Sequence, residues 1–347
     1  MILTQEQEMI RDSLRDFAQE RLAPFAGEWD RNHTFPADAL RELGELGALG
    51  MVVPEQWGGA GMDYMSLVLV IEEIAAGDGA TSTIVSVQNS LACGITMKYG
   101  TDAQKETWLK PLARGEKLGC FCLTEPHTGS DAAAITTRAD RDGDHFVLNG
   151  VKQFITTGKY GQVAIVFAVT DKAAGKRGIS CFLVPTDTPG YIVARIEEKM
   201  GQRASDTAQI LFENCRVPAS CLLGKEGDGY RIALSNLEAG RIGIAAQSVG
   251  MARAAFECAV QYAKDRETFG KPIIEHQAVS FRLADMATQI DAARLMVWRA
   301  ATFKDAGRLC LKEASMAKMF ASEMAERVCS DAIQILGGYG YVSDFPV

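Results

Sequence analysis

The sequence predicts a multi-domain α+β protein: a helical N-terminal domain, a middle domain forming a small antiparallel β-barrel or sandwich, and a C-terminal bundle of long helices. Three observations predict it. Residues 1–118 carry apolar positions at helical spacing, residues 119–227 alternate short β-rich runs with turn residues, and residues 228–347 return to helical periodicity. The chain of 347 residues also exceeds the usual size of one hydrophobic core, so two or three domains are expected.

The elements follow in order. Thr4 and Gln7 form a capping box, in which each side chain satisfies an orphan backbone N–H, and Ile10, Leu14, Phe17 and Leu22 recur at helical spacing behind it. A second helix starts at Phe35-Pro36, with Leu40, Leu43 and Leu46 on one face. Tyr64 to Ala76 is apolar on nearly every side and reads as a buried helix. Thr101 and Gln104 repeat the capping box directly after Gly100. In the middle, strands are expected at Cys120–Leu123, Thr136–Ala139, His145–Leu148, Val151–Thr156, Val163–Val169, Ile179–Val184 and Tyr191–Ile196. Asp142-Gly143 and Asn149-Gly150 both read as hairpin turns, because their residues tolerate positive φ. In the last region Leu283, Met286, Ile290, Ala293 and Val297 form one stripe, and Ala317, Phe320, Met324 and Val328 another. Helical segments there run about 25–35 residues, or roughly 40–50 Å, as a bundle requires.

Composition narrows the function. Apolar residues make up 47% and charged residues 23%, as in an ordinary globular protein, and the net charge of −8 supplies no field for collecting nucleic acid. The nine cysteines are odd in number and irregularly spaced, which favours reduced thiols over a disulfide framework or zinc site. No apolar run approaches a membrane span, and the start Met1-Ile2-Leu3-Thr4-Gln5-Glu6 is acidic rather than a basic leader, so a cytoplasmic location is expected. No Gly-rich turn opens a βαβ unit, which argues against a Rossmann or P-loop nucleotide site.

Four segments stand out. Cys122-Leu123-Thr124-Glu125-Pro126-His127-Thr128-Gly129-Ser130-Asp131 ends a strand in a turn bearing two hydroxyls; alone it reads as a polar hairpin loop. Lys152-Gln153-Phe154-Ile155-Thr156-Thr157-Gly158 alone is a plain strand. Arg266-Glu267-Thr268-Phe269-Gly270-Lys271-Pro272, followed by Glu275-His276-Gln277, lies between two long helices. Gln334-Ile335-Leu336-Gly337-Gly338 alone is a helix end. Together and in this order they resemble the acyl-CoA dehydrogenase family from about Leu3 to Val347. The run Glu238-Ala239-Gly240-Arg241-Ile242-Gly243-Ile244-Ala245 is most similar to its short-chain and short-branched-chain subgroup.

The resemblance implies a flavoprotein that binds FAD between the middle domain and the bundle. The strand end Phe121-Cys122-Leu123-Thr124 would meet the isoalloxazine, and Gly129 and Ser130 the pyrophosphate region. Phe154 would cover one flavin face where many members have Trp, Ile155 would lie beside it, and Thr156 would hydrogen-bond near flavin N5. Arg266, Thr268, Phe269, Gln277, Gln334, Ile335, Leu336, Gly337 and Gly338 would reach FAD held mainly by a neighbouring subunit, implying a homotetramer. That assignment suits the chemistry: guanidinium for diphosphate, aromatics for ring faces, glycine for close backbone approach. The implied reaction is α,β-dehydrogenation of an acyl-CoA, with electrons passed to an electron-transferring flavoprotein. Ser130, Glu238, Gly240 and Arg241 fall at substrate-side positions. The family's usual base, a Glu in a Y-E-G-T segment, would lie beyond Val347, with the last helices of the bundle. An alternative base position matches Gly240, which has no side chain. Glu238 points elsewhere on its helix, while Arg241 is either an orienting partner of the base or an ordinary ion pair. His127 and His276 read as a surface-loop residue and a packing residue. A flavin oxidase using oxygen, or a non-catalytic FAD- or acyl-CoA-binding scaffold, are the rival readings.

Overall fold

The computed structural model describes residues 2–346. The chain opens with helices α1 (Gln5–Phe17), α2 (Ala23–Asn32), α3 (Ala37–Glu45), α4 (Tyr64–Gly77), α5 (Gly79–Val87), α6 (Gly94–Tyr99), α7 (Asp102–Gln104) and α8 (Lys110–Ala113). Strands follow: β1 (Gly119–Cys122), β2 (Arg138–Asp142), β3 (His145–Thr156), β4 (Val163–Val169), β5 (Ile179–Pro185), β6 (Tyr191–Ile196), β7 (Thr207–Pro218) and β8 (Leu222–Leu223). The long helices α9 (Gly229–Asp265), α10 (Gln277–Asp305) and α11 (Leu311–Leu336) complete the chain, with a hairpin of β9 (Glu267–Thr268) and β10 (Lys271–Pro272) between the first two. The order helix, sheet, helix is the one expected. Both capping boxes form, each with reciprocal bonds between side chain and backbone.

The chain divides into two compact units. One comprises residues 29–62 and 84–240 and contains the sheet. Its strand order is β6-β7-β3-β2-β4-β5-β8, with β1 also pairing with β4. The order ends at β6 and β8, so the sheet is open and not a closed barrel. It is also not wholly antiparallel: β1 runs parallel to Val163–Val166, and β2 meets β4 in parallel at Arg138 and Val169. Alternation along β4 sends Val163, Ile165 and Phe167 to a core shared with Ala92, Ile95, Leu112 and Ile232. Ala164, Val166 and Ala168 enter a second core with Phe146, Leu148 and Phe212. Burial on both faces is why β4 reads as an unbroken apolar run.

The Asp142-Gly143 signal is a hairpin: Asp142 pairs with His145, and Gly143 takes φ +61. Asn149-Gly150 is not, and the two strands expected on either side of it are one strand, β3. It faces a bulge in β7, where Asn149 Oδ1 accepts from Asn214 N at 2.9 Å. The glycine is needed because Gly150 sits at φ +151 with Thr137 behind it; a Cβ would lie 2.5 Å from Thr137 Oγ1. β7 itself was absent from the expected strands, although Ala208, Ile210 and Phe212 alternate inward along it.

The other unit comprises residues 1–28, 63–83 and 241–347. In it, α10 and α11 bury Leu283, Met286, Ile290, Ala293 and Val297 of one predicted stripe and Ala317, Met324 and Val328 of the other, whereas Phe320 of the second is only partly buried. α4 is buried as expected, but it carries two carboxylates inside. Glu73 accepts from Arg15 on α1 at 2.9 Å and from Arg253 on α9 at 2.6 Å, and Glu72 accepts from Arg294 on α10 at 3.0 Å.

Candidate functional site

The segments singled out in the sequence form one cluster in each unit. In the sheet unit, β1 ends at Cys122 and runs into the Leu123–Asp131 turn, which lies beside β3. Two hydrogen bonds tie them: Lys152 Nζ donates to Leu123 O at 3.1 Å, and Gln153 N to Thr124 O at 2.8 Å. Glu125 anchors the turn from inside. It accepts from Lys152 Nζ at 2.8 Å, from Thr136 N and Oγ1 at 2.7 and 2.9 Å, and from Thr137 N at 2.9 Å. Burial alone would raise its carboxyl, but Lys152 and these donors hold it down at about 2. Burial pushes the Lys152 ammonium below its ordinary value, against the pull of Glu125.

The bulge in β3 decides what faces outward. Lys152 pairs with Ile210 and Ile155 with Ala208, so Gln153 and Phe154 oppose the single residue Gln209. Phe154 takes φ +59 and its ring stays 62% exposed, whereas Lys152 and Ile155 turn inward. Thr156 is half-buried, and its hydroxyl has no hydrogen-bond partner among the described residues. The same holds for the Thr124 N–H and for the exposed Ser130 hydroxyl. Gly129 borders open space. These residues therefore present one aromatic face and several unsatisfied donors. Cys122 and Ile155, by contrast, put their side chains in the core, and only their backbone is available. Phe121 packs edge-on against Phe167, with ring centroids 5.0 Å apart.

In the helical unit, Arg266, Thr268, Ile335, Leu336, Gly337 and Gly338 meet around an open pocket of about 660 Å³, which Tyr262 and Tyr339 also line. Residues far apart in sequence are thus brought together. The Arg266 side chain is exposed and has no acidic partner among the described residues. A Cβ at Gly337 or Gly338 would meet nothing, so backbone is open to a ligand there. Phe269 and Gly270 form the β9–β10 turn with φ +52 and +79, which leaves the Phe269 ring 97% exposed. His276 Nε2 lies 3.2 Å from Thr268 Oγ1 and braces that hairpin, a role sequence reading missed. Gln277 and Gln334 are exposed outside the pocket lining.

Glu238, Gly240 and Arg241 lie within one turn of α9. A Cβ at Gly240 would meet only Ser90 Oγ, at 3.9 Å. His127 is half-exposed and lies 3.1 Å from Ala134 O, a loop contact. Among the described residues no helix is long and apolar enough to cross a membrane.

In the sheet unit an exposed aromatic ring stands with free donors, a set that suits a flat ring system, and in the helical unit an unpaired guanidinium stands beside bare glycines, a set that suits a phosphate group. Comparison with known proteins is more specific. The chain matches the acyl-CoA dehydrogenase N-terminal domain over residues 4–116, the middle domain over 120–215 and the C-terminal domain over 227–347. It is 47% identical over 344 residues to the mitochondrial short-chain specific acyl-CoA dehydrogenase of Rattus norvegicus, covering 99% of this chain and 84% of that one. It superposes on butyryl-CoA dehydrogenase from Megasphaera elsdenii with TM-score 0.98 and 42% identity, covering 100% of this chain and 91% of that chain. A structure reported with the electron transferring flavoprotein of Acidaminococcus fermentans gives TM-score 0.98 and 45% identity, at the same coverage. The chain belongs to the acyl-CoA dehydrogenase family, whose members are FAD-dependent oxidoreductases. These matches do not support the expectation that the base lies beyond Val347.

Proposed function

We propose that this chain dehydrogenates a short or short-branched acyl-CoA to its trans-2-enoyl-CoA and passes the electrons to an electron-transferring flavoprotein. The observation that carries the reading is the 47% identity to the rat short-chain enzyme across nearly the whole chain. The similarity to the Acidaminococcus structure supports the electron acceptor.

FAD, when bound, supplies the hydride acceptor. Thr124 N–H, the Thr156 hydroxyl, the Phe154 ring and the backbone of Phe121, Cys122, Leu123 and Ile155 would hold its isoalloxazine ring in the sheet unit. Gly129 and Ser130 would hold its diphosphate. Arg266, Thr268, Phe269, Gln277 and the backbone from Gln334 to Gly338 complete the site of a neighbouring subunit, so the working assembly is a homotetramer. A carboxylate has to take the Cα proton, and Arg241 orients it. Glu238 and Gly240, with Ser130, line the acyl-CoA side. Three domains, 1–118, 119–227 and 228–347, divide this work in a cytoplasmic protein.

The test is anaerobic titration of the yellow protein with butyryl-CoA, longer acyl-CoAs and isovaleryl-CoA. Short substrates should bleach the flavin fastest, and an electron-transferring flavoprotein should restore the colour faster than air. Preferential bleaching by long chains overturns the substrate, and rapid reoxidation in air makes the protein an oxidase.

A further inference from the structure

The Lys152 ammonium is placed where charge is least welcome. Its side chain is fully buried and its partner Glu125 is 1% exposed. Such a pair adds little net stability compared with apolar side chains of the same size, because both ions lose their hydration. Its geometry, however, does something that apolar packing cannot. One Lys152 N–H goes to the Glu125 carboxylate and another to the Leu123 carbonyl. In a trans peptide the carbonyl and the following N–H point opposite ways. With Leu123 O drawn inward to Lys152, the Thr124 N–H is turned outward, and that donor is the one left without a partner. The next carbonyl, Thr124 O, is held by Gln153 N, so the peptide cannot roll back. Lys152 also lies directly before the bulge that sends Phe154 outward.

We infer that Lys152 is a positioning residue for the flavin: through the Leu123 carbonyl it fixes the Thr124 N–H as a preorganised donor. Glu125 balances its charge and folds the turn. This rests on the flavin site proposed above. Hydrogen-bond donors aimed at a cofactor stabilise its more electron-rich state, so loss of this donor lowers the flavin's midpoint potential.

The experiment compares wild type, Glu125→Gln and the double variant Lys152→Met with Glu125→Gln. Removing both charges avoids stranding one ion in the core, so the double variant retains the fold, as checked by thermal melting without FAD. Both variants lack the Glu125 carboxylate, and they differ in the Lys152 ammonium, which carries the donor to Leu123 O together with a positive charge; the Thr124 amide measurement below reads the donor apart from the charge. The double variant is expected to shift the flavin absorption bands and bind FAD about tenfold more weakly, as befits one lost bond. A tenfold shift in the reduction equilibrium is about 30 mV for a two-electron couple. Glu125→Gln alone should stay nearer wild type in potential while melting earlier. Equal potentials and spectra in the two folded variants would overturn the inference. Amide hydrogen exchange on the wild type supplies a second measurement that needs no variant. The Thr124 amide should exchange readily without FAD and become protected when FAD is added; an amide unaffected by FAD also overturns it. If the wild type binds no FAD, the proposed site fails first, and the two failures are thereby distinguished.

Discussion

Arg253→Met should weaken the helical unit more than any surface change, and the size of the effect follows from the geometry. Arg253 Nη1 and Nη2 donate to the two Glu73 oxygens at 2.8 and 2.6 Å, a bidentate pair, and Nη1 lies 3.5 Å from Glu72. Glu73 is 2% exposed, though it and Arg253 border a pocket of about 630 Å³ from which water can reach part of the network. Breaking one partner of a buried pair costs about 3–5 kcal/mol. Here Arg15 stays on Glu73 at 2.9 Å and Arg294 on Glu72 at 3.0 Å, which places the expected cost at the low end, about 3 kcal/mol.

The pH dependence sharpens the test. Burial raises the Glu73 carboxyl, but hydrogen bonds from Arg253 and Arg15 outweigh it and hold the group below its ordinary 4.5. A depressed carboxyl contributes stability that is present above its unfolded value and is lost as pH falls through the folded one. The penalty of Arg253→Met should therefore be full at pH 7 and shrink as the pH falls below about 4.5. Urea unfolding followed by circular dichroism at pH 7 and at decreasing pH measures both. A double-mutant cycle with Glu73→Gln should give a coupling of about 2 kcal/mol. A cost below about 1 kcal/mol, or one independent of pH, would refute the reasoning.

Thr156→Val removes a hydroxyl that bonds nothing in the protein itself, so folding and FAD binding should persist. Flavin reduction by butyryl-CoA in stopped flow should slow by about 1–4 kcal/mol in barrier, and an unchanged rate removes Thr156 from the chemistry. Arg266→Ala should lose FAD and oligomeric assembly together, read by absorbance and light scattering on the same sample; a flavin-replete monomer in the wild type contradicts the shared site. Gly150→Ala forces a Cβ to within 2.5 Å of Thr137 Oγ1 and 2.7 Å of its Cα. Thermal unfolding should show a loss of about 1–3 kcal/mol, and a neutral result means that the strand shifts freely.

Much of the fold was legible because local signals sufficed. Thr4 with Gln7 and Thr101 with Gln104 start helices through contacts within one turn, and Asp142-Gly143 closes a hairpin on itself. Asn149-Gly150 has the same local chemistry and a different outcome, because the bulge opposite it belongs to β7 and the crowding atom belongs to Thr137. Neither is near in sequence. Glu72 and Glu73 were absorbed into an apolar helix for the same reason: their partners stand on α1, α9 and α10. At the candidate site, the motifs marked segments that the fold brings together within each unit, but not the direction of each side chain. The β3 bulge sends Phe154 out while Cys122 and Ile155 point into the core. Lys152 read as a strand residue, and its burial depends on the turn folding over it.

These misses share a cause that bears on function. Apolar contact is non-directional, and a packed core leaves the roll of an individual peptide unspecified. A turn that must aim a lone N–H at a cofactor therefore needs directional bonds from inside, and a carboxylate with four donors on it provides them. Glu125 is that group in the turn after β1, and Lys152 transmits its position to Leu123 O. The bulge in β3 does the equivalent for side chains, because one extra residue reverses which of them face outward. Both devices break a local rule, one by burying charge and the other by placing a phenylalanine at positive φ. Natural proteins keep such local violations where function gains from them. That one device acts on the turn carrying Thr124 and the other on the adjacent strand carrying Phe154 and Thr156 is the physical argument behind the proposal that the flavin binds there.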